Sequence, residues 1–286
     1  MKDSIMLRFL YGTVWGRLLL KLLVQPPVSK IAGVFLSSHL SAGLVPYYIK
    51  KWKINMKDVE IPEDGFSSFN DFFTRRKKVK YDNAKNDWLK SPCEGWMSFL
   101  KIRRNIVFDI KNTRFSLEDL LKDSKLAEKF RNGAALVFRL TPADYHRYYY
   151  GASGKVLCHR KIQGKLHCVR PVALRTVPVF AQNTREYEII ATKEFGTILQ
   201  MEIGALLVGK IHNYERFWEP NEVEAGMEKG YFEFGGSTIM LLFQKDAVRL
   251  LEKLYARSNA DGEIKVAAGE EIARAGCGEM HRVPVL

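Results

Sequence analysis

Cysteine is scarce in this 286-residue chain: four residues, Cys93, Cys158, Cys168 and Cys277, with no Cys-x-x-Cys pair among them. So thin a supply argues against a disulfide framework and points to free thiols in a reducing compartment. Cys158-His159 and His167-Cys168 set sulfur beside imidazole, but their spacing matches no zinc pattern, and no metal is expected. Uninterrupted apolar runs are missing too. The most apolar stretch, Ile5 to Val24, is broken by Arg8, Arg17 and Lys21, which leaves it short of the roughly 18–20 residues that cross a bilayer. Charges inside that stretch, with no small-residue cleavage site after it, also make it a poor signal peptide. Internal repeats and low-complexity tracts are absent. Acidic residues are outnumbered, 32 against 45 basic ones, for a net charge of +13. That imbalance favours an anionic partner, and charge by itself does not choose between nucleic acid, an anionic membrane and an acidic ligand. The chain has no recognisable RRM, KH, helix-turn-helix or finger pattern, so nucleic acid is not the expected partner.

What is present begins with a sticky N-terminus. Met6, Leu10, Val14, Leu18 and Leu22 recur every four residues, while Arg17 and Lys21 share another face and Arg8 falls outside that pattern. Pro26-Pro27 ends this helix, a second apolar stretch runs from Val28 to Leu44, and Tyr47 to Lys53 mixes aromatic residues with lysines. Such residues suit helices lying in a lipid headgroup layer, and equally a helical hairpin packed on its own core or on a second subunit. Phe69 to Arg76 reads as the start of a short helix leading into the basic linker Lys77 to Lys80. From about Ser91 the texture changes to short apolar runs punctuated by glycine and proline. Ala135–Leu140, Ile198–Val208 and Ser237–Phe243 read as strands, Leu117–Phe130 and Ala247–Ala256 as helices, and Ile264–Val266 as a last small strand. The fold class is α+β: membrane-associating helices over residues 1–65, then a β-rich catalytic core over 66–286.

Three short segments carry chemistry. In Phe234-Gly235-Gly236-Ser237-Thr238, a glycine kink between two strand-like runs gives a hydroxyl room to approach a backbone carbonyl; the same residues suit a plain sheet bulge. Asp144-Tyr145-His146-Arg147 follows a predicted strand, and a histidine beside an acid and an arginine is suited to proton transfer or to a purely structural role. Ser91-Pro92-Cys93-Glu94-Gly95 is a turn presenting one carboxylate.

Taken together and in this order, Pro-x-Glu-Gly, Asp-Tyr-His-Arg and Gly-Gly-Ser-Thr resemble the phosphatidylserine decarboxylase family. The likeness extends upstream through Ser68 to Arg75 and downstream through Glu202 to Gly209. The resemblance implies cleavage between Gly236 and Ser237, giving a β chain 1–236 and an α chain 237–286. Ser237 would become a covalent pyruvoyl (pyruvate) cofactor, and a Schiff base on it would carry phosphatidylserine to phosphatidylethanolamine and CO2. His146 falls on the family's decarboxylation histidine. The base for self-cleavage is normally an aspartate with a second histidine; here Glu94 and Tyr149 stand in those places. The added methylene of Glu94 moves its carboxylate by about 1 Å, which can cost ~10²-fold in rate, and a phenol titrating near ~10 is a poor base at neutral pH. His167, Arg147 and Arg170 are candidate substrate contacts. The resemblance further implies a homodimer of processed protomers, attached peripherally to the cytoplasmic side of the cell membrane. A non-catalytic lipid-binding relative with failed processing, and a decarboxylase of a related serine lipid, are the alternatives.

Overall fold

A computed structural model describes residues 5–81, 87–103, 106–110, 113–206, 210–214, 221–234, 237–259 and 262–276. Gly235-Gly236, the Leu207-Val208 end of one predicted strand and Cys277 lie outside the described residues.

Helices open the chain: α1 (Ile5–Gly12), α2 (Val14–Leu23), α3 (Pro26–Leu36), a 3-10 turn (His39–Gly43), α4 (Leu44–Trp52) and α5 (Phe69–Phe73). Then come β1 (Trp88–Lys90), β2 (Gly95–Lys101), β3 (Ile106–Ile110), β4 (Thr113–Ser116), α6 (Leu117–Leu121), α7 (Ser124–Lys129) and β5 (Ala134–Leu140). The middle of the chain holds β6 (Arg147–Tyr149), β7 (Gly154–Ile162), α8 (Pro171–Leu174), α9 (Val179–Gln182), β8 (Arg185–Ala191), β9 (Thr197–Ile203) and β10 (Ile211–Asn213). It closes with β11 (Glu222–Val223), β12 (Glu228–Phe232), β13 (Ser237–Phe243), β14 (Val248–Leu250), α10 (Glu252–Tyr255), β15 (Ile264–Val266) and β16 (Glu271–Ala275).

Eight of these strands make one antiparallel sheet in the order β11-β7-β8-β9-β13-β5-β2-β15. Strand β13 lies inside it, and all seven of its residues are buried. Its side chains alternate between two cores, as a pleated strand requires. Met240 and Leu242 join a cluster with α1, α2, α6, α7 and α9. Ile239, Leu241 and Phe243 join a cluster on the other face with Tyr148 and Phe232. Those two belong to a small sheet, β10-β12-β6, which covers that face.

Several expectations need correction. The single helix over Ile5–Val24 is two helices. Thr13 breaks it, accepting the Gly16 N–H at 2.9 Å as N-cap of α2, and the turn is so tight that a Cβ on Gly16 would sit 2.0 Å from the Phe9 carbonyl oxygen. Pro26-Pro27 ends nothing by itself; the pair opens α3, where a missing N–H costs no hydrogen bond. Leu117–Phe130 splits because Lys122 takes a left-handed conformation and Asp123 caps a second helix. Ala247–Ala256 is a strand and a short helix, since Val248 to Leu250 pairs with β16. Pattern alone missed this because the partner strand is supplied from elsewhere in the chain.

Between the two sheets lies a charged network. Lys229 and Glu202, 1% and 0% exposed, are joined at 2.6 Å. Lys229 also donates to the Asn213 side-chain oxygen at 2.9 Å, which accepts from the Tyr148 hydroxyl at 3.1 Å. One residue from each strand of the small sheet is thereby tied to β9. Burial pushes the Glu202 carboxyl up despite its lysine. Burial also pushes Glu188 up, but Lys229 and hydrogen bonds from His159 and Tyr150 outweigh it and bring that carboxyl down to about 2.

Removing one member of such a pair strands the other charge in the interior. Lys229→Met is expected to lose about 3–5 kcal/mol of stability in urea unfolding, and Lys229→Met with Glu202→Leu to regain most of it. Equal losses in the single and double variants would contradict this.

Candidate active site

Ser237 is the first residue of β13 and pairs with Leu140, the last residue of β5. Trp96 pairs with Arg139, which sets Gly95 beside Leu140 at the same end of the sheet, and Val266 pairs with Gly95. A Cβ on Gly95 would stand 3.0 Å from the Arg139 carbonyl oxygen, so the close approach of β2 and β5 favours glycine. Glu94 therefore ends its turn two strands from Ser237, about 10 Å at the usual strand spacing. The hydroxyl of Ser237 is fully buried and has no hydrogen-bond partner among the described residues; the same holds for Thr238, on the opposite face.

After Leu140 the chain makes a tight loop. The Asp144 carboxylate accepts the Thr141 N–H at 2.6 Å and pairs with Lys265. The Asp144 carbonyl accepts from His146 Nδ1 at 2.8 Å. A carbonyl can only accept, so Nδ1 carries the proton and Nε2 keeps its lone pair. That Nε2 is buried and has no partner among the described residues. Burial is the main cause that brings the imidazole down to about 3, with Asp144 opposing. The ring lies 4.0 Å from that of Phe73, which in turn packs at 5.2 Å on Phe234, three residues before Ser237. The His146 carbonyl accepts the Phe232 N–H at 3.0 Å. The histidine loop and the segment leading to Ser237 are thus bound to each other.

Glu94 is held by two lysines, Lys77 at 3.2 Å and Lys265 at 3.8 Å. Tyr149 turns its hydroxyl to that of Tyr145 at 3.3 Å, and burial pushes its phenol well up. His167 sits on the other flank of β13. Asn183 brackets its backbone at 2.9 and 2.8 Å and reaches the Gly204 carbonyl at 2.7 Å, just past the Ile203 that pairs with Thr238. Burial, aided by Lys165 and opposed by Gln182, lowers His167 to about 4. Arg147 is occupied by the protein's own acceptors: the Thr74 carbonyl at 2.8 Å, Glu228 at 2.5 Å and the Tyr214 hydroxyl at 3.1 Å.

Two cations at this end were not anticipated. Lys265, from β15, bridges Asp144 and Glu94. Arg75 is buried, stacked 4.8 Å over the Phe72 ring, and burial lowers it while Glu94 and Tyr145 oppose. A lysine in a three-residue strand carries no signal of such a role in sequence.

A family model for phosphatidylserine decarboxylase matches residues 69–274. The chain belongs to this family. A phosphatidylserine decarboxylase proenzyme 2 of Clostridium acetobutylicum is 38% identical over 270 residues, covering 93% of this chain and 90% of that protein. Proenzymes of Ruminiclostridium cellulolyticum and Clostridium kluyveri are 38% and 37% identical, again over 93% of this chain and 90% and 91% of theirs. The family match spans Glu94, His146 and Ser237, so the motifs that carried the resemblance all lie inside it.

A histidine lowered from 6.5 to about 3 refuses a proton that the unfolded chain takes up below ~6.5. Its contribution is full above that pH and is lost as pH falls toward 3. His146→Phe, which keeps a ring on Phe73, is expected to flatten the fall of stability between pH 6.5 and 3.5 by up to ~1.4 kcal/mol per pH unit. Urea unfolding across that range reads the slope; a slope unchanged from wild type would contradict the assignment.

Proposed function

We propose that this chain decarboxylates phosphatidylserine to phosphatidylethanolamine, using a pyruvoyl group that it makes from Ser237. The observation that carries this reading is a serine hydroxyl, fully buried and unpartnered among the described residues, at the family's processing position. In the reading, Ser237 Oγ attacks the carbonyl carbon of residue 236, and the C–N bond breaks as the ester bond forms. Elimination then leaves a carboxylate on residue 236 and dehydroalanine at 237. Water converts the latter to the pyruvoyl group and releases ammonia.

The residues present suit such a group. It would begin β13, paired with β5 at that residue and with β9 from the next one on, and buried polar atoms without partners among the described residues lie on this end of the sheet. Once formed, the pyruvoyl ketone supplies an electron sink for the charge left as CO2 departs. The chain's own residues do the rest. His146, neutral with Nε2 free, accepts a hydrogen bond or a proton from the substrate headgroup and does not serve as a standing acid near pH 7. The aromatic packing of Phe73 and Phe234 keeps water away from that nitrogen. Tyr149, bonded to Tyr145, is not the base for processing. Glu94, held by Lys77 and Lys265, is the carboxylate available for that task. These two departures favour the alternative of an unprocessed lipid-binding relative, and product analysis separates the two readings.

Membrane attachment is part of the same proposal. No single helix among the described residues is long and apolar enough to cross a membrane; α2 and α3 pass such a test only as a pair bent by 67°. Leu7, Leu10, Tyr11, Leu20 and Val24 face the core, while Trp15, Leu22, Ile31 and Val34 are 77%, 66%, 73% and 69% exposed. Exposed apolar residues beside Lys21, Lys30 and Lys50 suit peripheral binding to the anionic cytoplasmic face of the cell membrane.

Two outcomes are expected. Wild-type protein given phosphatidylserine in mixed micelles forms phosphatidylethanolamine, Ser237→Ala forms none, and His146→Ala is slower by ~10²-fold or more. Phosphatidylserine left unchanged by every protein would overturn the reading. In vesicle flotation, Trp15→Glu with Ile31→Glu is expected to lose binding to anionic vesicles while the folded state is kept; undiminished flotation would contradict peripheral attachment through these helices.

A further inference from the structure

Beside the segment that leads to Ser237 lies a cavity of about 780 Å³, between α3 and the stretch linking β12 to β13. Its polar lining is Ser29, Lys30, Ser37, Asn70, Lys210 and Glu233, and Phe234 forms part of its wall. Phe234 stands three residues before Ser237, so the backbone of this wall lies within about 10 Å of that of the serine, the most that three residues span. Asn70 fixes this wall, accepting the Phe234 N–H at 3.1 Å.

Two features of the lining suit an anionic, lipid-like ligand. Ser29 borders the cavity but its hydroxyl is shut off from it, so the charge of the lining and its apolar part carry the argument. Among the described residues Lys30 has no ion pair and Lys210 has one, with Glu233 at 3.8 Å. Glu233 is itself engaged with His212 at 2.5 Å. Two lysines against one carboxylate leave a surplus positive charge facing the cavity. The α3 side of the lining is partly apolar, through Pro27, Val34 and Leu36, and outside the cavity the same helix exposes Ile31 and Phe35, at 73% and 53%.

We infer that this cavity holds the phosphodiester of a diacyl phospholipid, with Lys30 and Lys210 on the phosphate. The acyl chains would leave over the exposed face of α3. The surplus charge of the lining complements a serine headgroup, whose phosphate and carboxylate outweigh its one ammonium. Seated this way, the phosphate stays on the helical side while the amine extends past Phe234 toward Ser237. The inference rests on the decarboxylase reading for the identity of the headgroup; the phosphate site stands on the cavity.

Binding without turnover tests it. In the Ser237→Ala protein, calorimetric titration with short-chain phosphatidylserine below its micellar concentration reads the affinity directly. Lys30→Met and Lys210→Met, each added to that background, are expected to weaken it about tenfold, as loss of one charge-assisted contact does. Lys30→Arg is expected to restore it to within about threefold. A neutral diacylglycerol of the same chain length should bind all variants alike, and inorganic phosphate should bind at least ~100-fold more weakly than the phospholipid, since it gains nothing from the apolar part of the lining. Unchanged phosphatidylserine affinity in both Met variants, an equal loss for the neutral lipid, or phosphate binding as tightly as phospholipid would each overturn the inference. Failure of the decarboxylase reading shows separately: the lysine dependence persists, but wild-type protein forms no phosphatidylethanolamine.

Discussion

Everything at the reactive end of this molecule depends on β13 being buried on both faces and paired along both edges. A strand so placed cannot slip by one residue without turning each core side chain to the wrong face. Its first residue, Ser237, is held by pairing with Leu140 on one side, and the residue after it by both neighbours. The same burial excludes water from the hydroxyl and leaves it without a partner among the described residues. A buried hydroxyl in that condition is costly, by about 1–3 kcal/mol, and the paired strands on either side supply the stability that offsets it. Reactivity and stability are thus divided between the end of one strand and its length.

Charge is arranged on the same plan. The Lys229–Glu202 pair holds the small sheet to the large one, and that small sheet carries both the strand after His146 and the strand before Ser237. A hydrophobic pair of similar volume would serve stability as well. What the ion pair adds is a specific point of contact, Lys229 of β12 on Glu202 of β9. At the sheet end, Lys265 draws Asp144 and Glu94 together. This lysine belongs to the part of the chain after Ser237, so the proposed cleavage would leave the two fragments joined by ion pairs as well as by the sheet. The N-terminal helices belong to this unit too. Tyr11 of α1 reaches the Cys168 N–H at 3.0 Å and lies against His167, so a helix with an exposed apolar face is attached directly to the flank of β13.

Much of this was legible in the sequence. Ser237–Phe243 is a strand over the residues expected, because seven apolar or β-compatible residues bounded by glycine leave little choice. Gly-Gly-Ser-Thr, Tyr-His-Arg and Pro-x-Glu-Gly pointed to His146 and Glu94, and the fold brings both to the serine's end of the sheet. What stayed hidden depends on contacts between distant segments. Nothing local marks Val248–Leu250 as a strand, since its partner is Glu271–Ala275. Nothing local marks Lys265 as the bridge between two acids, or Lys229 as a buried cation, because burial of a lysine is a property of what covers it. Amphipathic spacing in residues 5–24 was read as one helix because a single capping threonine carries little weight against a four-residue period.

The central claim is that Ser237 turns its own peptide bond into a cofactor. Intact-mass analysis of the purified protein tests this most directly. The account predicts two species, one ending at Gly236 and one comprising residues 237–286 with a pyruvoyl-blocked start, and a single full-length chain for Ser237→Ala. A single full-length chain for the wild-type protein as well, persisting through long incubation with lipid, would contradict it.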